Sequence, residues 1–160
     1  MPGSERPYEH INCIIDKKLY LGNKYAAASL ETLDGLGVTH IVNAAEEQPN
    51  FFRNAFVYYN CHLHDNLVEK VDIDGPLGFI EEAFANGGVV FVHCLAGVSR
   101  SATMVIAYVM KNYEMSMTEA ILKVLELRPV INPNPNFLRQ LVQYEARLNR
   151  HQVRMIEVCN

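Results

Sequence analysis

Apolar runs and polar breaks along the chain predict strands that alternate with helices. The most apolar run is 89–92, and an unbroken run of this kind is typical of a strand that is buried on both faces. Further strands are predicted at 38–43 and 56–63, and a short strand or hairpin at 14–21. Because such alternation favours layered α/β domains, we predict a single α/β domain with a central, mostly parallel sheet of about five strands flanked by helices.

Capping signals locate the helices between these strands. Ser116 and Glu119 have the spacing of a capping box, which opens a helix that runs to about residue 127. Asn134 followed by Pro135 predicts the start of a final helix that continues past residue 147. The remaining predicted helices cover 25–36, 74–86 with Asp74 as its cap, and 100–112.

Composition and charge exclude several classes of protein. The chain has 160 residues, 49% of them hydrophobic, which fits one domain with one core over 11–149 and terminal segments at 1–10 and 150–160. The net charge of -4 argues against nucleic acid as the main partner. No apolar run is long enough to span a bilayer, and the amino-terminal residues lack the apolar core of a signal peptide. We therefore expect a soluble monomer in the cytoplasm or nucleus.

The candidate chemistry lies in residues 93–101, His-Cys-Leu-Ala-Gly-Val-Ser-Arg-Ser. The predicted buried strand ends at His93 and a helix begins near Arg100, so a short loop with Gly97 at its centre joins them. A strand-loop-helix unit can point successive backbone N–H groups at one anion, and the helix dipole adds to the attraction. The predicted phosphate-binding residues are Leu95, Ala96, Gly97, Val98, Ser99 and Arg100.

Cys94 stands at the base of this predicted cradle. Inward N–H groups, the helix dipole and Arg100 favour its thiolate, which would be placed for in-line attack on a bound phosphate. Arg100 offers a planar fork for two phosphate oxygens, and Ser101 can donate a hydrogen bond to the sulfur. The alternative is an inert core cysteine beside a surface arginine. The strand before Cys94, the glycine within the loop and the helix after it disfavour that alternative.

Residues 93–101 resemble the signature loop of cysteine-based protein tyrosine phosphatases. The small size and the serine before Arg100 are similar to the small, atypical dual-specificity subfamily, and the resemblance covers roughly 11–149. It implies hydrolysis of phosphotyrosine, phosphoserine and phosphothreonine esters in protein substrates through a cysteinyl-phosphate intermediate, without a cofactor. By the same resemblance, Asn134 supports the signature loop. His93 is expected to fix the loop by hydrogen bonding rather than to act as a base.

A phosphoester leaving group also needs a proton donor, and the acidic candidates before the loop are Asp65, Glu69, Asp72 and Asp74. Asp65 directly follows the strand at 56–63, so it would emerge at the same sheet edge as the cysteine if the two strands are parallel. Asp72 and Asp74 are explained as caps of the next helix. Asp65, 29 residues before Cys94, also resembles the general acid of the family by its position.

Three other interpretations remain open at this stage. His62 and His64 would share one face of a strand and, with His40, could suggest a metal site, although the wider spacing of zinc hydrolases is missing. The chain could be a non-catalytic phosphoprotein-binding module, or it could act on a phosphoinositide or an RNA phosphate. The presence of Cys94, Arg100 and Asp65 weighs against the binding module, and the neutral loop side chains favour protein substrates over a phosphoinositide or RNA.

The four cysteines, which are Cys13, Cys61, Cys94 and Cys159, are scattered and predict reduced thiols rather than a disulfide framework. Cys61 could form a reversible disulfide with Cys94 under oxidation, but a buried, unreactive thiol is the simpler interpretation.

Overall fold

The computed structural model describes residues 10–159, so the amino-terminal segment predicted at 1–10 lies outside it apart from His10. Within the described range the sheet has five strands in the order β1-β2-β5-β3-β4. Strand β1 is antiparallel to β2, and the other pairs are parallel. The predicted α/β architecture is therefore confirmed. The strands are β1 (Ile11–Ile15), β2 (Leu19–Gly22), β3 (His40–Ala45), β4 (Val57–Leu63) and β5 (Val90–His93).

Helices cover both faces of the sheet. On one face, α1 (Lys24–Ala27) and α2 (Leu30–Gly35) pack against a cluster around Ile41 and Phe91. The other face carries the larger core, which is built from α3 (Asp74–Ala85), α4 (Arg100–Asn112), α5 (Met117–Leu127) and α6 (Pro135–Cys159). No helix in the described part of the chain is long and apolar enough to cross a membrane.

Two of the predicted helices differ from the structure, one by a break within it and one in its cap. The predicted helix 25–36 is two helices, because Ser29 has an extended backbone and its side chain accepts a hydrogen bond from the Thr32 N–H, which starts α2. Asp74 is not a cap: Ile73 occupies the N-cap position of α3, and Asp72 Oδ1 accepts from the Gly75 N–H at 3.3 Å. The side chain of Asp74 instead pairs with Arg147. The hairpin option for 14–21 is the correct one, since β1 and β2 pair there.

The strand and helix that flank the signature loop are both deeply buried. Every residue of β5 is buried, and α4 is buried from Arg100 to Met110. Because β2, β3 and β4 run parallel to one another and to β5 through the sheet, their carboxyl ends meet at one edge, where crevices of open α/β sheets form. The loop after β5 is therefore held at that edge by a rigid support on both sides.

Candidate active site

The carbonyl groups of four consecutive loop residues all point away from the loop interior. The carbonyl of Leu95 accepts from the Lys24 N–H at 3.0 Å, and that of Val98 accepts from the Asn132 N–H at 2.7 Å. Between them, the carbonyls of Ala96 and Gly97 accept from the buried guanidinium of Arg128 at 3.3 and 2.9 Å. Since the C=O and the N–H of a trans peptide point in opposite directions, the N–H groups of residues 96–99 face inward. This is the predicted anion cradle.

Cys94 lies at the base of the cradle and is 3% exposed. Its Sγ atom accepts a hydrogen bond from the Gly97 N–H at 3.3 Å and lies 3.0 Å from Ser101 Oγ. Helix α4 begins at Arg100 and directs its positive end toward the same space. The structure thus brings the predicted nucleophile, the loop amides and Ser101 together.

Only glycine fits at position 97. Its φ of +67° lies in the left-handed region, which is unfavourable for residues with a Cβ atom. A Cβ atom there would also stand 2.6 Å from the Gly22 carbonyl oxygen and 2.7 Å from Arg128 Nη2. The close approach to both groups is what lets Arg128 reach the loop carbonyls.

Arg100 is fixed by a carboxylate that the sequence did not single out. Its Nη1 and Nη2 donate to Glu47 at 2.6 and 2.5 Å, and Nη1 also donates to the Leu63 carbonyl at 2.9 Å. The hydrogen bond from Arg100 lowers the pKa of Glu47. Burial opposes the charged form of Arg100, but the hydrogen bond to Glu47 and the neighbouring charges outweigh it and raise its pKa. The guanidinium is therefore held charged and in one orientation.

One edge of this guanidinium is left unpaired. Arg100 Nε is buried and has no hydrogen-bond partner among residues 10–159. A buried donor without an acceptor is unfavourable, and an oxyanion in the cradle would supply the acceptor.

Asp65 reaches the signature loop through Ser99. The Oδ1 atom of Asp65 accepts from Ser99 Oγ at 2.8 Å and from Asn134 Nδ2 at 2.7 Å. Ser99 Oγ in turn accepts from the Asn134 N–H at 3.0 Å. Two other acidic candidates, Asp72 and Asp74, lie at the start of α3 and contact other partners, and Glu69 contacts α6 through its backbone carbonyl. Of these three aspartates, Asp65 is the one with a hydrogen bond to the signature loop.

Asn134 combines the two roles that the sequence suggested. Its Oδ1 accepts from the Phe137 N–H at 2.9 Å, as an N-cap does for α6. Its Nδ2 donates to Asp65 and to the Asn66 carbonyl. Its contact with the signature loop goes through Ser99 rather than through the cysteine.

His93 is buried and uncharged. Its Nδ1 donates to the Cys94 carbonyl at 3.2 Å, and its ring stacks on Phe91. Burial lowers the pKa of His93 from 6.5 to about 4, with a further lowering by the charge of Arg100 and an opposing effect of the backbone hydrogen bond. A neutral imidazole that donates to the loop backbone agrees with a supporting contact rather than with a base.

This buried histidine predicts acid sensitivity of the fold. Because the unfolded chain takes up this proton below pH 6.5 and the folded chain only near pH 4, the stability linked to His93 is full above pH 6.5 and falls toward pH 4. The loss amounts to about 3 kcal/mol at most. In urea unfolding at pH 7.0 and pH 4.5, His93→Asn should show a smaller pH-dependent loss than wild type. The exposed His151→Asn on α6 serves as the control and should match wild type; a loss in His93→Asn equal to that of wild type would contradict the assignment.

The histidines of the metal interpretation are dispersed. His62 pairs with Glu46 at 2.7 Å near the carboxyl end of β4, whereas His40 begins β3 at the opposite edge of the sheet. No group of three or more His, Cys, Asp or Glu side chains between residues 10 and 158 is arranged as a metal site.

Cys61 packs against the small cluster formed by Ala44, Ala45 and Cys94. Burial raises the pKa of its thiol to about 12, which agrees with an unreactive side chain. Cys13 is an exposed free thiol, and the side chain of Cys159 lies outside the described residues.

Sequence reasoning missed Glu47 because it lies in the polar loop after β3, far from the motif in the chain. One signal in the sequence could have found it: Glu47 lies two residues after a central parallel strand, at the edge of the sheet where the signature loop lies. The contacts of Arg128 to the loop carbonyls were not predicted either.

Comparison with known proteins extends these observations. Residues 19–147 match the family model "Dual specificity phosphatase, catalytic domain". Human protein phosphatase Slingshot homolog 3 is 48% identical over 132 residues, which cover 81% of this chain and 20% of that protein. Human dual specificity protein phosphatase 1 is 39% identical over 134 residues, 81% of this chain and 36% of that protein. The chain therefore spans about a fifth of the length of the Slingshot relative.

Solved structures give the same picture. The crystal structure of a mouse putative dual specificity phosphatase complexed with zinc tungstate superposes with a TM-score of 0.85 at 28% identity, covering 96% of this chain and 98% of that one. The two proteins therefore share the fold over almost their whole length.

Proposed function

Because the chain belongs to the family of dual specificity phosphatase catalytic domains, we propose that it is a protein phosphatase that uses Cys94 as its nucleophile. Its substrates in this proposal are phosphotyrosine and phosphoserine or phosphothreonine esters in proteins. The observation that carries the proposal is the outward orientation of the carbonyls of residues 95–98, which turns the intervening N–H groups toward the space above the Cys94 sulfur.

In the proposed complex, the phosphate binds between these amides and Arg100. The loop N–H groups of residues 96–99 donate to phosphate oxygens, and the unpaired Nε of Arg100 donates to another. Glu47 holds the Nη groups, so the guanidinium needs no rearrangement when substrate arrives. Donors fixed in this way stabilise the charge of the transition state more than mobile donors would. The mouse relative was crystallised in complex with zinc tungstate, and tungstate, an oxyanion of related shape, supports an anion site in this fold.

The first chemical step forms a bond between Cys94 Sγ and phosphorus, while the bond from phosphorus to the substrate oxygen breaks. That oxygen leaves with a proton, which Asp65 supplies in this proposal. Ser99 and Asn134 both donate to Oδ1 of Asp65, which leaves Oδ2 to carry the acidic proton. The products of this step are the dephosphorylated protein and a cysteinyl-phosphate.

Hydrolysis of the cysteinyl-phosphate completes the cycle. The Asp65 carboxylate accepts a proton from water, the water oxygen bonds to phosphorus and the sulfur–phosphorus bond breaks. Ser101 Oγ, 3.0 Å from the sulfur, donates a hydrogen bond that stabilises the departing thiolate. Inorganic phosphate leaves and Cys94 returns to its starting state.

Protein substrates are favoured over phosphoinositides and RNA. The side chains of Leu95, Ala96 and Val98 are neutral, and Leu95 is 39% exposed beside the cradle, which suits an apolar polypeptide surface better than a polyphosphorylated headgroup. The presence of both Cys94 and Arg100 weighs against a non-catalytic binding module. A monomeric state, the lack of a nucleic-acid partner and a cytoplasmic or nuclear location stay predictions from the sequence.

The role of Asp65 is tested by Asp65→Asn. We expect kcat to fall about 10²-fold on phosphotyrosine and phosphothreonine peptides, because asparagine cannot donate a proton to the leaving oxygen. Inhibition by inorganic phosphate should change little. The control is Asp72→Asn, whose carboxylate accepts from the Gly75 N–H in the first turn of α3. An active Asp65→Asn together with an inactive Asp72→Asn would show that the acid has been wrongly assigned.

A further inference from the structure

The segment 65–71, here called the acid loop, is bound along one face of α6 by two amide side chains. Asn136 Nδ2 donates to the carbonyls of Asn66 and Glu69 at 3.2 and 2.8 Å. Gln140 Nε2 donates to the Glu69 carbonyl at 2.8 Å, and its Oε1 accepts from the Val71 N–H at 2.9 Å. The two amides therefore satisfy three backbone groups of a segment that belongs to no strand or helix.

The two amides also form a unit with each other. Asn136 and Gln140 are four residues apart on α6, so they share one helix face, and Gln140 Nε2 lies 3.1 Å from Asn136 Oδ1. Asn136 is only 5% exposed. A buried asparagine with both ends engaged indicates a specific contact, because burial of an amide without partners is costly.

The tip of the acid loop has little packing of its own, whereas Val71 at its carboxyl end is buried in the larger core. Leu67 and Val68 at its tip are 63% and 88% exposed. Within the loop, Asn66 Oδ1 accepts from the N–H groups of Val68 and Glu69, which gives a compact turn but does not tie it to the sheet. Ser99 and Asn134 bind the loop at its start, and Asn136 and Gln140 bind it further along.

We propose that Asn136 and Gln140 are positioning residues for the general acid: they hold the acid loop closed against α6, so that Asp65 is in place before substrate binds. The inference rests on the proposed role of Asp65.

The inference predicts a dependence on the leaving group. Phenyl phosphate has a poor leaving group and needs the acid, whereas p-nitrophenyl phosphate has a good one and needs it less. In Asn136→Ala and Gln140→Met we expect kcat/KM on phenyl phosphate to fall about tenfold more than kcat/KM on p-nitrophenyl phosphate, because a displaced acid transfers its proton less efficiently. A loss of folded protein would lower both values equally.

The matched control is Gln143→Ala, which removes an exposed amide one turn further along α6 and should keep the wild-type ratio of the two rates. Methionine has nearly the length of glutamine, and position 140 is only half-buried, so Gln140→Met should fold. It tests the inference by itself if Asn136→Ala, at a buried position, does not fold. In Asp65→Asn, adding Gln140→Met should leave the ratio unchanged, since the acid is already absent.

An unchanged ratio in folded Gln140→Met would overturn the inference, as would a further rise of the ratio in the double variant. The proposed function fails in a different way: if Asp65→Asn alone left the ratio at the wild-type value, Asp65 would not be the acid. The single and double variants therefore separate the two failures.

Discussion

Cys94→Ser is expected to abolish phosphoester hydrolysis while phosphate binding persists. The serine hydroxyl stays protonated where the thiol can ionise, so the substitution removes the attacking anion. Loss of a covalent nucleophile typically lowers kcat by about 10⁴-fold or more. The carbonyls of residues 95–98 keep their partners outside the loop, so the cradle and Arg100 should remain intact. The measurement is kcat on a phosphopeptide panel together with binding of the same peptides.

A second cysteine provides the control for this experiment. Cys61 packs against the same small cluster as Cys94, and burial raises its pKa to about 12, so Cys61→Ser should retain most of the activity. Hydrolysis that persisted in Cys94→Ser would refute the cysteine mechanism. Stable capture of one phosphopeptide by Cys94→Ser would identify the preferred substrate.

Local signals located several elements without error. The predicted helix 100–112 and the helix opened by Ser116 agree with α4 and α5, because the strand end and the capping box are encoded within a few residues. The prediction of one continuous helix over 25–36 was wrong. The alanine-rich composition favoured a single helix, but Ser29 is the N-cap of a second one. The prediction that Asp74 caps α3 was wrong. Two aspartates precede or begin this helix, and it is Asp72 that accepts the hydrogen bond from the Gly75 N–H. Strand order depends on long-range pairing, so it could not be predicted from the pattern.

The same distinction applies to the site. The cradle could be predicted because Cys94, Gly97 and Arg100 are contiguous and their chemistry is visible in a short motif. Glu47 contacts Arg100 across 53 positions, and Gln140 contacts Glu69 across 71. Such partners are set by the parallel sheet and by the docking of α6, and their residue types alone carry no sign of the contact. The position of Asp65 beside the signature loop could be predicted because it lies two residues after a strand that was itself predicted.

Glu47 changes the interpretation of the motif arginine. A carboxylate beside a phosphate site repels the ligand, so its presence needs a benefit. The benefit is orientation: a bidentate pair fixes the plane of the Arg100 guanidinium, leaves Nε for the proposed phosphate and keeps the side chain charged. Two of its nitrogens hold the scaffold, and the third is available to the substrate.

Arg100→Lys should therefore lower kcat strongly, although it keeps the positive charge. Lysine keeps one positive charge but cannot bind Glu47 in a bidentate manner, contact the Leu63 carbonyl and donate from an Nε position at once. We expect kcat to fall about 10³-fold, as when a fixed transition-state donor is lost, with a weaker rise in KM because the charge remains.

A variant with a smaller expected effect and a control accompany this prediction. Glu47→Gln retains one acceptor for Arg100 and should lower kcat by only about tenfold, since the arginine still occupies the site with less restraint. Arg147→Lys alters an exposed pair with Asp74 and should leave kcat unchanged. If Arg100→Lys kept more than a tenth of the wild-type kcat, the planar fork would be unnecessary and charge alone would suffice. If Glu47→Gln instead raised kcat, the carboxylate would act as a competitor of the substrate phosphate rather than as the group that orients Arg100.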